Sequence, residues 1–224
     1  DEFIDVDRFD VHRRLEHGLT SDRSSYDQVI YEYEHRDKEK PLFLFNVTIQ
    51  NHGGYDDEDY PTTVQVEQAP GEYPQTEQYL SLTKKSDQAL EYLIDYFSRQ
   101  EEPVVVLFFG DHWPNLEPEF LSMLLGQDSE NLSFENIMRE YQVPFFIWAN
   151  YDLEGEEIEA VSLNYLSGLL LRAAGLEGTD YTNYLEDLRQ TLPVITAVGM
   201  LDQEGNWYKN GYATPYDALL NEYN

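Results

Sequence analysis

Cysteine is absent from the chain, so the sequence excludes a disulfide framework, a thiolate zinc site and a cysteine nucleophile. Basic residues are scarce, with 14 Lys and Arg against 44 Asp and Glu and a net charge of −30. Such a surface repels phosphate backbones, which excludes nucleic acid as a partner, and it disfavours unaided docking on an anionic membrane. No apolar run approaches the roughly 20 residues that a membrane helix needs.

What is present is enough apolar material for a core, with 41% hydrophobic and 14% aromatic residues. Two continuous apolar runs, Leu42–Gln50 and Val104–Phe109, are typical of strands buried on both faces. A Pro- and Gly-containing loop and an amphipathic helix over Thr76–Gln100 separate them. Because strand, helix and strand follow in this order, the sequence predicts a parallel pair joined by a crossover helix.

The remaining patterns complete a single α/β domain with no internal linker. Gly175 stands where a helix over Val161–Ala174 would need a C-terminal cap, and we expect that helix to be structural, with its leucines facing the sheet. The other predicted elements are a helix from Ser21 and Asp22 to His35, helices over Leu116–Leu125, Phe134–Tyr141 and Tyr181–Gln190, a strand over Val143–Ala149, and closing strands over Leu192–Leu201 and Trp207–Lys209.

Metal-capable side chains follow both predicted strands. His52 comes just after the first strand, and Asp111 and His112 come just after the second. Open α/β sheets bind ligands beyond the carboxyl ends of their strands, and a carboxylate with an imidazole suits Zn²⁺ or Mn²⁺. The sequence therefore predicts that the three residues share one site. The alternative is that Asp111 caps the next helix while both histidines merely pack or lie in loops.

The ordered set of motifs resembles the lipoteichoic acid synthases, which are phosphoglycerol transferases of the alkaline phosphatase and sulfatase superfamily. The resemblance rests on the run Phe43–Tyr55 with its Asn-His turn, the helix around Tyr79–Leu90, Val106–His112 ending in Gly-Asp-His, and the helix Leu163–Leu176 ending in Ala-Gly-Leu. This implies an α/β fold with an alkaline phosphatase-like, mostly parallel central sheet flanked by helices. It departs from the family pattern at Trp113–Asn115 and at Gly53-Gly54.

The resemblance also implies roles. Asp111 and His112 match metal ligands of a Mn²⁺ or Zn²⁺ centre, and His52 matches a histidine that contacts the substrate phosphate or leaving group. The family's threonine nucleophile and an acidic ligand precede the part matched here, so we assign no catalytic nucleophile to this chain. We expect residues 1–224 to be the C-terminal portion of a catalytic domain whose N-terminal part is missing, and we assign no role to the other histidines.

The implied activity of the whole enzyme is metal-dependent transfer of phosphoglycerol to a cell-envelope polymer or glycan, on the extracellular side of a bacterial membrane. The substrate would be derived from a phospholipid or a polymer, and the membrane would be reached only through N-terminal helices that are missing here. The chain alone is expected to show no turnover and to bind metal weakly or not at all. Two alternatives stay open: a sulfatase-type ester hydrolase of the same superfamily, and a non-catalytic α/β module that binds the cell wall.

Overall fold

The computed structural model describes residues 2–223, and Asp1 and Asn224 lie outside the described range. The helices are α1 (Asp22–His35), α2 (Pro74–Phe97), α3 (Pro118–Leu125), α4 (Phe134–Arg139), α5 (Leu166–Ala173), α6 (Asp180–Thr191) and α7 (Asp217–Tyr223). The strands are β1 (Leu15–Glu16), β2 (Leu19–Thr20), β3 (Val105–Phe109), β4 (Phe145–Ala149), β5 (Val194–Ile195), β6 (Gly199–Leu201) and β7 (Trp207–Lys209). The mixed α/β class is confirmed.

The chain divides into two compact units. Unit 1 comprises Asp1–Gln100 and Pro114–Glu130, and unit 2 comprises Glu101–Trp113 and Asn131–Asn224. Among the described residues, no helix is both long enough and apolar enough to span a bilayer.

Two packed helices, α1 and α2, organise unit 1. Helix α1 begins where the sequence predicts, because the Ser21 hydroxyl accepts a hydrogen bond from the Ser24 amide at 3.2 Å and caps the first turn. Helix α2 has proline in its first turn, where the missing N–H costs nothing. Its buried stripe includes Leu82, Leu93 and Phe97, so the amphipathic helix is confirmed.

The predicted strand over Leu42–Gln50 is wrong: residues 42–49 have no strand assignment and are exposed. Phe43 is 77% exposed, Phe45 70% and Val47 73%. The predicted parallel pair with β3 is also wrong, because every ladder in residues 2–223 is antiparallel. An apolar run shows that a segment suits a buried strand, but burial also needs neighbouring strands, and no strand in that range pairs with this run.

In unit 2, β3 pairs with β4 in antiparallel register, so the predicted strands Val104–Phe109 and Val143–Ala149 are confirmed. Phe108 and Phe146 stand opposite each other with their rings stacked 5.3 Å apart. Helix α5 packs against β3. Its leucines Leu166 and Leu169 are buried, whereas Leu163, predicted to face the sheet, is exposed in the preceding 3₁₀ turn.

Gly175 ends this helical segment as predicted. Its φ of +66° lies in the left-handed region that favours glycine. The Leu176 amide reaches back to the Leu171 carbonyl at 2.9 Å, and the Gly175 amide to that of Arg172 at 3.1 Å, which satisfies carbonyls that the helix end would leave unpaired.

The last part of unit 2 is a small three-stranded sheet, in the order β5-β6-β7, packed with α6 and α7. Its core contains Leu185, Leu188, Leu192, Met200 and Tyr165. The Tyr165 hydroxyl donates to the Leu192 carbonyl at 2.9 Å, so the buried polar tip is paired. The closing strands and α6 agree with the sequence prediction, and α7 was not predicted.

Candidate functional site

The His52 turn belongs to unit 1, between the exposed apolar run and a long loop. The His52 amide donates to the Ile49 carbonyl at 3.0 Å, which closes the turn, and the imidazole is exposed. Tyr55, three residues later, is buried, and its hydroxyl donates to the Asn51 carbonyl at 2.6 Å. Asn51 before His52 and Tyr55 after the two glycines are therefore held by hydrogen bonds, while the His52 side chain is exposed to solvent.

A buried polar network, formed by Asp22, Gln50, Asn51 and Ser86, holds this turn against both helices. Gln50 is its centre and is only 2% exposed. The Gln50 Oε1 accepts from the Asp22 amide at 3.1 Å, and its Nε2 donates to Ser86 Oγ at 3.0 Å and to the Leu82 carbonyl at 3.3 Å. The Asn51 Nδ2 also donates to Ser86 Oγ at 2.8 Å. Burial strengthens these bonds, so the network specifies one arrangement of the turn.

Asp22 is the ionisable member of the network. Its carboxyl is buried, and the oxygen Oδ1 has no hydrogen-bond partner in residues 2–223. Burial raises the pKa of Asp22, and hydrogen bonds from Ser86, the Gln50 backbone and Thr48 offset that effect only in part. The sequence showed Asp22 only as a helix-capping residue, because its burial depends on the packing of distant segments.

An aromatic cluster of Tyr55, Tyr60, Tyr79 and His17 lies on the other side of the turn. The Tyr55 and Tyr79 rings contact edge to face at 5.4 Å, and His17 lies edge-on to Tyr60 at 5.5 Å. His17 has a φ of +51° in the tight turn between β1 and β2, and its Nδ1 is buried without a hydrogen-bond partner among the described residues. Sequence reasoning assigned His17 no role, and only its neighbour Gly18 hinted at a tight turn.

The Gly-Asp-His turn lies in unit 2, at the carboxyl end of β3. The Gly110 amide donates to the Pro144 carbonyl at 3.0 Å, and a Cβ at Gly110 would stand 3.0 Å from the Val143 Cβ. A larger residue at position 110 would therefore require Val143 to shift. The Asp111 and His112 side chains beyond it are 83% and 73% exposed.

The geometry of this pair fits two ligands of a metal ion. The Asp111 Oδ2 and His112 Nε2 atoms are 3.5 Å apart, and ligands at roughly 2.0–2.2 Å in a tetrahedral site stand roughly 3.3–3.6 Å apart. The His112 Nδ1 is 2.8 Å from the Trp113 carbonyl, a contact that would fix the proton on Nδ1 and leave Nε2 for the metal. Within residues 2–223, no group of three or more His, Asp or Glu side chains could hold a metal.

The structure thus brings Asp111 and His112 together in unit 2 and places His52 in unit 1. That His52 joins the pair in one shared site stays a prediction. The roles of all three, substrate contact for His52 and metal binding for Asp111 and His112, also stay predictions.

The chain belongs to the sulfatase family, whose model matches residues 2–176. Its structure resembles the phosphoglycerol transferase GacH of Streptococcus pyogenes, solved in complex with sn-glycerol-1-phosphate, with a TM-score of 0.64. The match has 21% identity and covers 85% of this chain and 46% of GacH. The alkaline phosphatase-like fold and the family resemblance stated from the sequence are therefore confirmed. The mostly parallel sheet that the resemblance implied is not found in residues 2–223, where all paired strands are antiparallel.

Two relatives come from Rhizobium meliloti (strain 1021). A protein described there as a cyclic beta-1,2-glucan modification protein is 29% identical over 196 residues, which are 84% of this chain and 30% of that protein. The capsular polysaccharide biosynthesis protein RkpI is 33% identical over 113 residues, 50% of this chain and 19% of RkpI. The chain thus spans less than half the length of each of these proteins.

Proposed function

We propose that the whole protein is a metal-dependent transferase that moves a phosphoglycerol group onto a cell-envelope glycan, on the extracellular side of a bacterial membrane. The observation that carries the proposal is the Gly-Asp-His turn, where Asp111 Oδ2 and His112 Nε2 stand 3.5 Å apart in a sulfatase-family chain. The phosphoglycerol group is suggested by the structural similarity to GacH, and the glycan by the two relatives described by their work on polysaccharides.

In this proposal, Asp111 and His112 would hold a Mn²⁺ or Zn²⁺ ion. When bound, such an ion stabilises negative charge on phosphoryl oxygens. The Trp113 carbonyl keeps the His112 ring in one tautomer and orientation. The Trp113 indole N–H donates to the Gln142 carbonyl at 2.5 Å, which ties this turn to the residues before β4.

His52 would bind the substrate phosphate or protonate the leaving oxygen. Its exposed imidazole can donate a hydrogen bond to a phosphate oxygen, and the buried network behind it keeps the backbone of the turn in place. A nucleophilic threonine and a further acidic metal ligand would come from the rest of the sulfatase domain. Substrate from a phospholipid would be reached through N-terminal membrane helices of the whole protein.

The test uses the whole protein with phosphatidylglycerol as donor and a neutral glucan as acceptor, with Mn²⁺ or Zn²⁺ added. We expect transfer that depends on the metal, and a fall of about 100-fold or more for Asp111→Ala or His112→Ala, because a ligand is lost. His12→Ala is the matched control, since His12 is exposed and no hydrogen bond of its side chain is found in residues 2–223. Unchanged activity in both ligand variants would contradict the proposed metal site.

Two further measurements separate the alternatives. Hydrolysis of an aryl sulfate without phosphoglycerol transfer would favour the sulfatase-type hydrolase, and neither activity would favour a glycan-binding module. For the 224-residue chain alone, we expect no turnover and no tight metal binding, since two ligands fall short of the three that a catalytic zinc site usually has. Calorimetric titration that shows a tight one-to-one complex, lost in Asp111→Ala, would refute that expectation.

A further inference from the structure

A cavity of about 290 Å³ opens on unit 2 where β7 leads into α7. All its lining residues come after residue 176 in the sequence, where the match to the sulfatase family model ends. The turn after β7 builds its rim: the Asn210 amide donates to the Val198 carbonyl at 3.0 Å, and the Asn210 Nδ2 donates to the Thr196 carbonyl at 3.1 Å. Gly211 follows with a φ of +87°, a left-handed turn that presents Tyr212 to solvent.

The floor and the rim of this cavity differ in chemistry. Met200 and Leu220, both part of the hydrophobic core of the C-terminal sheet, supply apolar surface. Tyr212, which is 71% exposed, and Asn221 both belong to the cavity lining. In residues 2–223, no side-chain hydrogen bond of Tyr212 or Asn221 is found, so their donors and acceptors are available to a ligand.

A third rim residue, Asp217, is already held in place. Its Oδ1 accepts from the Thr214 amide at 3.0 Å and from the Thr214 hydroxyl at 2.7 Å. Within residues 2–223, no donor is found for its Oδ2. The cavity lining thus contains a fixed carboxylate, a side-chain amide and an exposed aromatic ring.

The charge of the cavity lining favours a neutral ligand over an anionic one. Among residues 2–223, no lysine, arginine or histidine lines the cavity, and the chain carries a net charge of −30. A phosphate or an anionic polymer would be repelled, whereas a neutral ligand with many hydroxyl groups would not. A sugar ring has a C–H face that can lie against the negative face of an aromatic ring, and hydroxyls that pair with amides and carboxylates.

We propose that this cavity binds one neutral sugar ring of a glycan, with Tyr212 as the stacking platform and Asn221 and Asp217 as hydrogen-bonding partners. Its volume is just below the range of about 300–1,000 Å³ for drug-sized ligands, which suits a single ring better than a long chain segment. The choice of a glycan rests on the proposed function, because that function needs a glycan acceptor. The cavity would then act as an acceptor subsite.

The test is an NMR titration of the chain with a neutral glucan oligosaccharide, with inorganic phosphate as a second ligand. We expect saturable shifts of the Tyr212 and Asn221 signals, a dissociation constant on the order of 1 mM, and no effect of phosphate. Tyr212→Ala should weaken binding about 10-fold or more, and Tyr212→Phe should retain most of it because the ring remains. Tyr181→Ala is the matched control, since Tyr181 is also exposed in unit 2 and lies outside the cavity lining.

Tyr212 is so exposed that its replacement should not unfold the chain, and circular dichroism of each variant checks this. Absence of saturable shifts in the wild type, or equal binding by wild type and Tyr212→Ala, would overturn the proposal. Competition by phosphate would show an anion site instead. This readout is binding and not turnover: glucan binding without transferase activity in the whole protein would defeat only the proposed function, and transfer without binding here would defeat only the subsite.

Discussion

Replacing Gln50 by leucine should destabilise unit 1 and loosen the His52 turn. Leucine nearly keeps the volume of the side chain but removes the amide, which accepts from the Asp22 amide and donates to Ser86 Oγ and to the Leu82 carbonyl. Because Gln50 is 2% exposed, water cannot replace these partners without opening the packing. The substitution therefore leaves buried donors and acceptors unsatisfied.

The expected loss of stability depends on which buried polar groups lose their hydrogen-bond partner. The Asp22 amide loses a buried partner, and the cost of an unsatisfied buried polar group is about 1–3 kcal/mol. The Ser86 hydroxyl retains its bond to Asn51, so its loss is partial. The Leu82 carbonyl lies inside α2, where its helical bond remains available. We expect a loss of about 2–4 kcal/mol in the free energy of unfolding, a large share of the about 5–15 kcal/mol of a typical domain.

Urea unfolding monitored by circular dichroism measures this loss, and Gln75→Leu is the matched control. Gln75 is exposed in the first turn of α2, and its side chain has no hydrogen bond in residues 2–223, so the same chemical change should cost less than about 0.5 kcal/mol. Hydrogen exchange adds a local readout. The His52 amide, bonded to the Ile49 carbonyl at 3.0 Å, should exchange faster in Gln50→Leu and at the wild-type rate in Gln75→Leu.

Equal stability of Gln50→Leu and Gln75→Leu would refute the claim that the buried network holds the turn. A loss of stability with an unchanged exchange rate at His52 would refute only the link between the network and His52. If the whole protein has the proposed transferase activity, the same variant should lower kcat more than it raises KM, because Gln50 would act through the position of His52 and would not touch the substrate itself.

Three further predictions concern unit 2, each measured by urea unfolding. Gly199→Ala should lower the free energy of unfolding by at least about 1–3 kcal/mol, because the new Cβ would stand 2.5 Å from the Phe134 ring and 2.7 Å from the Tyr208 carbonyl. Gly155→Ala is the control and should be near neutral, because a Cβ at Gly155 would have nothing within 4 Å. Leu169→Ala should cost about 2–5 kcal/mol by opening a cavity, and a loss below 1 kcal/mol would contradict its place in the core. Asp202→Asn should make the stability of the chain less dependent on pH in the acid range. Burial opposes ionisation of Asp202, but hydrogen bonds from the Asn206 backbone and side chain and from two tyrosine hydroxyls outweigh it. Together they lower the pKa of Asp202 to about 2. The stabilisation is therefore complete above the unfolded pKa of about 4 and is lost as the pH falls from there through 2, so the difference between wild type and variant should shrink in that window.

The local elements of this fold could be predicted because their signals are local. The Ser21 cap sets the start of α1, the apolar stripe of α2 has helical spacing, and Gly175 ends the α5 segment in the conformation that glycine favours. The strands β3 and β4 follow from their apolar runs. The antiparallel direction of their pairing could not be predicted, because the two strands are far apart in the chain and periodicity carries no information on the partner strand.

For the candidate site, too, only local proximity could be predicted from the sequence, and the roles of its residues stay predictions. Asp111 and His112 are sequence neighbours, and a two-residue turn motif brings them together wherever the strand goes. The network behind His52 was missed, because it joins residues 28 to 36 positions apart and consists of glutamine, serine and asparagine, which are common on surfaces. The surroundings of His17 were missed for the same reason: its contacts with Tyr55 and Tyr60 depend on how the β1–β2 turn packs against the loop that follows His52.

Residues 42–49, before His52, do not form the predicted strand, but their apolar side chains still alternate as they would in an extended chain. Phe43, Phe45 and Val47 are the most exposed apolar side chains of residues 42–49, and they occupy alternate positions, which is the period of an extended strand. Asn46, between two of them, points the other way, and its Oδ1 accepts from the Ser25 hydroxyl at 2.8 Å. Asn46 thus connects one face of the run to α1, and the exposed Phe43, Phe45 and Val47 form its apolar face. Because Gln50 and Asn51 anchor the end of the run independently of that surface, the His52 turn is held from the side of α1 and α2, whatever covers the apolar face.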